Sequence, residues 1–146
     1  MKEALLISAC LLGAACRYDG TSRPLAEETL FALRERYQLV PVCPEQLGGL
    51  PTPRFPAERG YDGVHNAAGE NVTAQFFRGA AEALRIAAFF GCRKSLLKTR
   101  SPSCGSGRIY DGFFTGTLRD GDGVTAETLK ANGVAVYGEN ELEKLI

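Results

Sequence analysis

Three of the five cysteines in this 146-residue chain sit where a short apolar run gives way to a loop rich in glycine, proline or serine. Cys10 ends ALLISAC, Cys43 ends QLVPVC, and Cys104 lies in TRSPSCG, six residues past SLLK. If those runs are neighbouring parallel strands, the three thiols meet at one end of one sheet. Three converging thiolates can hold a metal ion or an iron–sulfur cluster and leave one coordination position open to a substrate. Pro44 directly follows Cys43, as in the cysteine–proline pairs at cluster ligands. Glu45 comes next: it is an acid/base beside a metal site, the ion-pair partner of Arg54, or a solvated loop carboxylate. Around Cys104, glycines and serines are expected to turn backbone amides into the site. Ser101 and Ser103 offer hydroxyls there, and Lys98 and Arg100 are expected to lower the thiol pKa.

The remaining candidates carry less. Cys16 lies six residues past Cys10 in a turn with Gly13, a spacing that fits neither a zinc ribbon nor a redox CxxC, and its role beside the site stays open. Cys92 follows Gly91 at the amino end of a strand, on the opposite side from the other three, and reads as structural. His65 is the only histidine. One histidine in a loop leaves little material for a Ser-His-Asp or Cys-His triad, and a zinc site would have to be built from cysteines. There is no GxxxxGK[ST] and no GxGxxG, so phosphate binding of those kinds is not supported.

Placing three loops at one sheet end needs strands that alternate with helices. Residues 4–9 and 38–43 read as the first two strands, with Pro41 marking an edge or a bulge. Between them, Pro24 opens a helix over 24–37 with Leu25, Leu30, Leu33 and Tyr37 as its stripe. Residues 44–72 show no periodicity and read as a long loop, either functional or disordered. The clearest helix spans 73–90, capped by Thr73, with Phe76, Phe77, Ala80, Leu84, Ala87 and Ala88 inward. A strand at 93–98, a loop at 99–123 with room for a hairpin, a short helix capped at or beside Thr125, a strand at 134–138 and a terminal helix complete the chain. This order predicts an α/β class: a single-domain Rossmann-like layered fold over residues 1–146. Its mostly parallel four-stranded sheet is flanked by helices, with the site loops at the carboxyl ends of the strands.

Seventeen basic and seventeen acidic residues cancel, which argues against a membrane or a large nucleic acid as partner through bulk electrostatics. MKEALLISAC is too short and too acidic for a signal peptide. No run approaches the roughly 20 apolar residues that span a bilayer. The expected location is cytoplasmic, where thiols stay reduced.

The segments ISACLLGAACRYDG, CPEQLGGLPTPR, NVTAQFFRGAAEAL, LLKTRSPSCGSGRIYDGFFTGTL and GDGVTAETLKANGVAVYGENEL resemble the successive blocks of the DUF523 family, over about residues 4 to 142. Some members of that family are thiouracil desulfidases. The resemblance implies a [4Fe-4S] cluster held by Cys10, Cys43 and Cys104, with the fourth iron open to the sulfur of a thiolated nucleobase or nucleoside. Water would replace that sulfur, giving uracil and hydrogen sulfide without net redox. It further implies Glu45 as the acid/base and Ser101 as a hydrogen-bonding assistant, with Cys16 as a possible neighbour of the cluster. Two rival chemistries use the same thiols: a non-catalytic zinc or iron–sulfur module, and a metal-free enzyme with Cys10 or Cys43 as nucleophile.

Overall fold

Leu5, Leu6 and Ile7 are wholly buried, so the first strand is covered on both faces and lies inside a sheet. The computed structural model describes residues 1–146. In chain order its elements are β1 (Glu3–Ser8), α1 (Glu27–Arg36), β2 (Tyr37–Val42), α2 (Pro44–Leu47), β3 (Ala57–Gly60), β4 (Gly63–Asn66), α3 (Thr73–Phe90), β5 (Lys94–Leu97), β6 (Arg108–Tyr110), β7 (Leu118–Asp120), α4 (Val124–Ala131) and β8 (Ala135–Gly138). Four strands form one wholly parallel sheet in the order β2-β1-β5-β8. The chain steps from β1 to β2 on one side and later returns to β5 on the other. The sheet therefore has its topological switch point at β1, and crevices form beyond the carboxyl ends of strands at such a point.

Alternation along β1 divides the core. Leu5 and Ile7 pack with Leu33 of α1, Tyr37 and Leu145 on one face. Ala4 and Leu6 pack with Ala83 and Ala87 of α3 and with Ala126 and Leu129 of α4 on the other. The Tyr37 hydroxyl donates to the Leu145 carbonyl at 2.7 Å, which seals the C-terminal turn over the first face. Pro41 falls on β2, an edge strand, and keeps register with Ile7, so its missing N–H interrupts no ladder. No helix is long and apolar enough to cross a membrane.

Several local expectations are corrected. Helix α1 starts at Glu27, because Ala26 is still extended, and it runs directly into β2 at Tyr37. Thr73 is the first helical residue of α3 and not its cap. Its hydroxyl instead accepts the Val64 N–H at 2.9 Å and so ties α3 to β4. Phe77 and Ala88 of α3 face outward, whereas Phe76, Ala80 and Ala87 are buried. Thr125 lies inside α4, whose cap position is Gly123. The terminal segment forms 3-10 turns over Glu139–Lys144, kinked at Glu141. The region 44–72 contains a short helix, α2, and an antiparallel hairpin, β3–β4. The hairpin expected within 99–123 is β6–β7.

Two glycines set how closely α2 approaches α3. A Cβ on Gly79 would overlap the Pro44 carbonyl oxygen and lie 2.8 Å from its carbon; a Cβ on Gly48 would likewise overlap the Gln75 carbonyl. The α2 turn, which carries Glu45 and follows Cys43, is seated by this backbone-to-backbone contact. Gly79→Ala gains about 1 kcal/mol of helix propensity, but the overlap is with backbone and cannot be relieved by a side-chain rotation. The variant is expected to lose about 1–3 kcal/mol of stability in urea denaturation. A variant as stable as the wild type would contradict this account of the contact.

Candidate active site

Three loops leave the carboxyl ends of β1, β2 and β5 and enclose a cavity of about 680 Å³. Cys10, Cys16, Cys43, Glu45, Ser101 and Cys104 all line it. The structure thus brings together every candidate ligand and acid/base, with Cys16 beside them. Cys92 lies elsewhere, buried against the α3 and α4 side of the core. His65 is on β4, paired across the hairpin with Glu58, and does not reach the cavity.

Each thiol is placed by its own strand end. Cys10 sits in a 3-10 turn over Ala9–Leu12, stopped by Gly13 at φ 104°. Cys43 is extended and precedes Pro44, which takes the first position of α2 where no N–H is needed. The Cys43 thiol donates to the Cys16 carbonyl at 3.7 Å, joining the first two loops. Cys104 is held by the start of α4. The amides of Val124, Thr125 and Ala126 donate to the Pro102 and Ser103 carbonyls, so the free N–H groups of that helix end clamp the loop. Gly123 allows this approach: a Cβ there would be 2.5 Å from the Ser103 carbonyl carbon.

Glu45 is gripped at both oxygens. Arg54 Nε donates to Oε1 at 2.9 Å, and both side chains are nearly buried, at 7% and 15% exposure for Arg54 and Glu45. The same guanidinium also donates to the carbonyls of Cys16 and Pro51 and to the Thr52 hydroxyl, so Arg54 ties the first loop to the second. Ser103 donates to Oε2 at 3.0 Å. The direction of the serine hydrogen bonds follows from their valence. Ser101 Oγ accepts the Ser103 and Cys104 amides at 3.1 and 3.0 Å, which occupies both lone pairs. Its proton therefore goes to Ser103 Oγ, 2.9 Å away. Ser103 also lies 3.7 Å from the Cys104 sulfur, but it has one proton and the carboxylate is the stronger acceptor.

The charge environment of the thiols differs from expectation. Burial pushes the Cys104 thiol up to about 12, although a hydrogen bond with Ser8 opposes the rise. Burial, then the neighbouring Cys16, raises Cys10 to about 11, against the pull of Lys98. Burial and then Cys43 raise Cys16 to about 12. Burial outweighs the basic neighbours of Cys104: the Lys98 ammonium is shared with Glu139 at 2.9 Å, and Arg100, though it lines the cavity, is exposed. Four of the loop amides are committed within the loop and to its neighbour Asp122: those of Ser103 and Cys104 bond to Ser101, that of Gly105 to the Ser101 carbonyl, and that of Gly107 to Asp122. Raised thiol pKa values mean that the folded chain holds these protons more tightly than the unfolded one. Their contribution to stability is complete below the ordinary thiol value of 9.0 and is lost as pH climbs toward 11 and 12. The protein without metal is expected to keep a constant urea midpoint from about pH 6 to about pH 9 and a falling one above it. A flat profile to pH 11 would contradict the burial of Cys10 and Cys104.

Spacing alone does not disclose the grip of Arg54 on the site, nor that the Ser103 hydroxyl is directed to Glu45. The ion pair with Arg54 and the place of Glu45 in the site are alternatives in the sequence; in the folded chain they coexist. No three Cys, His, Asp or Glu side chains close on a point that one ion could occupy. The thiols line a cavity instead of meeting at its centre.

Comparison with known proteins agrees with this architecture. The family model described as 2-thiouracil desulfurase matches residues 5–141. The uncharacterized protein YbbK of Bacillus subtilis is 41% identical over 152 residues, covering 97% of this chain and 99% of that relative. The solved structure of TudS (DUF523Vcz), a [4Fe-4S]-dependent thiouracil desulfidase, superposes with a TM-score of 0.93 at 47% identity, covering 99% of this chain and 95% of that one. The chain belongs to the 2-thiouracil desulfurase family.

Proposed function

We propose that this chain is a [4Fe-4S]-dependent desulfidase that replaces the sulfur of a thiolated nucleobase or nucleoside by the oxygen of water. With thiouracil the products are uracil and hydrogen sulfide, and no electrons are gained or lost. The observation that carries the reading is the shared cavity, in which three strand-end thiols face a carboxylate fixed by Arg54 and Ser103. The donor set fits a cluster better than zinc. Thiolates on one zinc lie within about 4 Å of each other, given Zn–S bonds of roughly 2.3 Å, and these side chains do not gather on a single ion. Cys10, Cys43 and Cys104 would hold three corners of the cluster. When bound, the cluster supplies a Lewis-acidic iron suited to a soft thiocarbonyl sulfur.

The protein's own groups then supply orientation and proton transfer. Glu45 cannot swing away, because Arg54 and Ser103 hold one oxygen each. It takes the proton of the water that attacks the ring carbon. Ser101 holds Ser103 and the Cys104 amide in place, which aligns the carboxylate with the ligand loop.

Anaerobic reconstitution followed by metal analysis and a sulfide-release assay on 2- and 4-thiouracil tests the reading. The expected result is about four iron and four sulfide per chain, with release that disappears on exposure to air. Stoichiometric zinc without turnover would favour the binding module. Turnover that survives chelation and air would favour a metal-free thiol nucleophile.

A further inference from the structure

Phe114 is a bulky residue with φ 58°, in the left-handed region that such side chains avoid. Only one other residue besides glycine has a positive φ, Arg100, and both line the cavity beyond the sheet. The strained backbone is held by a specific contact. One carboxylate oxygen of Glu58 accepts the amides of Gly112 and Phe114 at 3.0 and 3.1 Å, latching the tip of the β6–β7 hairpin to β3. Gly112, at φ 100°, lies so close to the β3–β4 hairpin that a Cβ would be 2.8 Å from the Gly60 Cα. Core packing does not explain the arrangement, since Phe114 remains 41% exposed. Its neighbour Phe113 is more exposed and does not line the cavity. A latch, a strained backbone and an uncovered ring at the wall of a reaction cavity mark a feature retained for what enters the cavity.

We infer that Phe114 is a specificity residue, whose ring stacks on the flat face of the substrate base and selects planar rings over puckered ones. The inference rests on the desulfidase reading and adds to it the means by which the ring is recognised. Glu45 and the cysteines address the reacting edge, and every base offers a π-face to an aromatic side chain. Phe114 thus supplies affinity that is indifferent to edge chemistry but sensitive to ring shape.

The test compares 2-thiouracil with its 5,6-dihydro analogue, which carries the same edge groups on a non-planar ring. The readout is the ratio of their kcat/KM values in the reconstituted protein, which cancels any change in cluster content between variants. Phe114→Ala and Phe114→Leu are each expected to lower the ratio, flat over puckered, by about tenfold, as the loss of one base–aromatic stack implies. Phe114→Tyr should restore it, and Glu58→Ala, which frees both amides, should lower it. A ratio unchanged in both Phe114→Ala and Phe114→Leu would overturn the inference while leaving the desulfidase reading intact. A reconstituted wild-type protein that releases sulfide from neither ring nor from 4-thiouracil would overturn the desulfidase reading itself.

Discussion

Glu45→Gln is expected to retain its iron and sulfide and to lose about a hundredfold or more in sulfide release, the usual scale for a positioned general base. Glutamine keeps the shape of the side chain and can still accept from Ser103, so the cavity should persist. It has no charge to balance Arg54, which is 93% covered and tied to the carbonyls of both neighbouring loops. Leaving that guanidinium unpaired is expected to cost about 3 kcal/mol of stability, towards the lower end for breaking one side of a buried pair. The two effects separate in experiment: iron content and the denaturation midpoint report on the ion pair, and turnover per cluster reports on proton transfer. Glu45→Ala should show the same loss of turnover. A Glu45→Gln protein that turns over at the wild-type rate would remove Glu45 from the acid/base role.

Cys104→Ala is expected to abolish cluster retention, with iron falling from about four per chain to well below one. Cys104 is 5% exposed and set between Ser8, Ser103 and the start of α4. Its loop is clamped by the α4 amides and by the close approach of Gly123. Cys92→Ala serves as the comparison, since Cys92 belongs to the core on the α3 and α4 side and does not line the cavity. It should keep full iron and full turnover. Equal iron in Cys104→Ala and wild type would contradict the ligand assignment.

The candidate ligands were legible because apolar runs ending in cysteine carry two signals at once. Residues such as Leu5, Leu6 and Ile7 mark a strand buried on both faces, and a parallel sheet sends every strand end to the same side. Cys92 was separable for the same reason, being at the other end of β5. What escaped the sequence was held by tertiary contact. The β3–β4 hairpin has strands of four residues, too short to display a period, and is fixed by Thr73 and Glu58 reaching from or to other elements. Phe77 fits the helical stripe of α3, yet it turns outward and lies 5.9 Å from the Arg59 guanidinium. The Cys104 thiol pKa lies high where its basic neighbours Lys98 and Arg100 suggest a fall, because burial, a property of the whole fold, outweighs them.

The most direct test of the central claim is to run the reconstituted protein anaerobically on thiouracil in ¹⁸O-labelled water and to measure sulfide and labelled uracil together. Substitution by water assisted by Glu45 predicts one labelled oxygen in uracil for each sulfide released, with no reductant or oxidant consumed. Uracil without label, or sulfide release that requires an added electron donor, would contradict it.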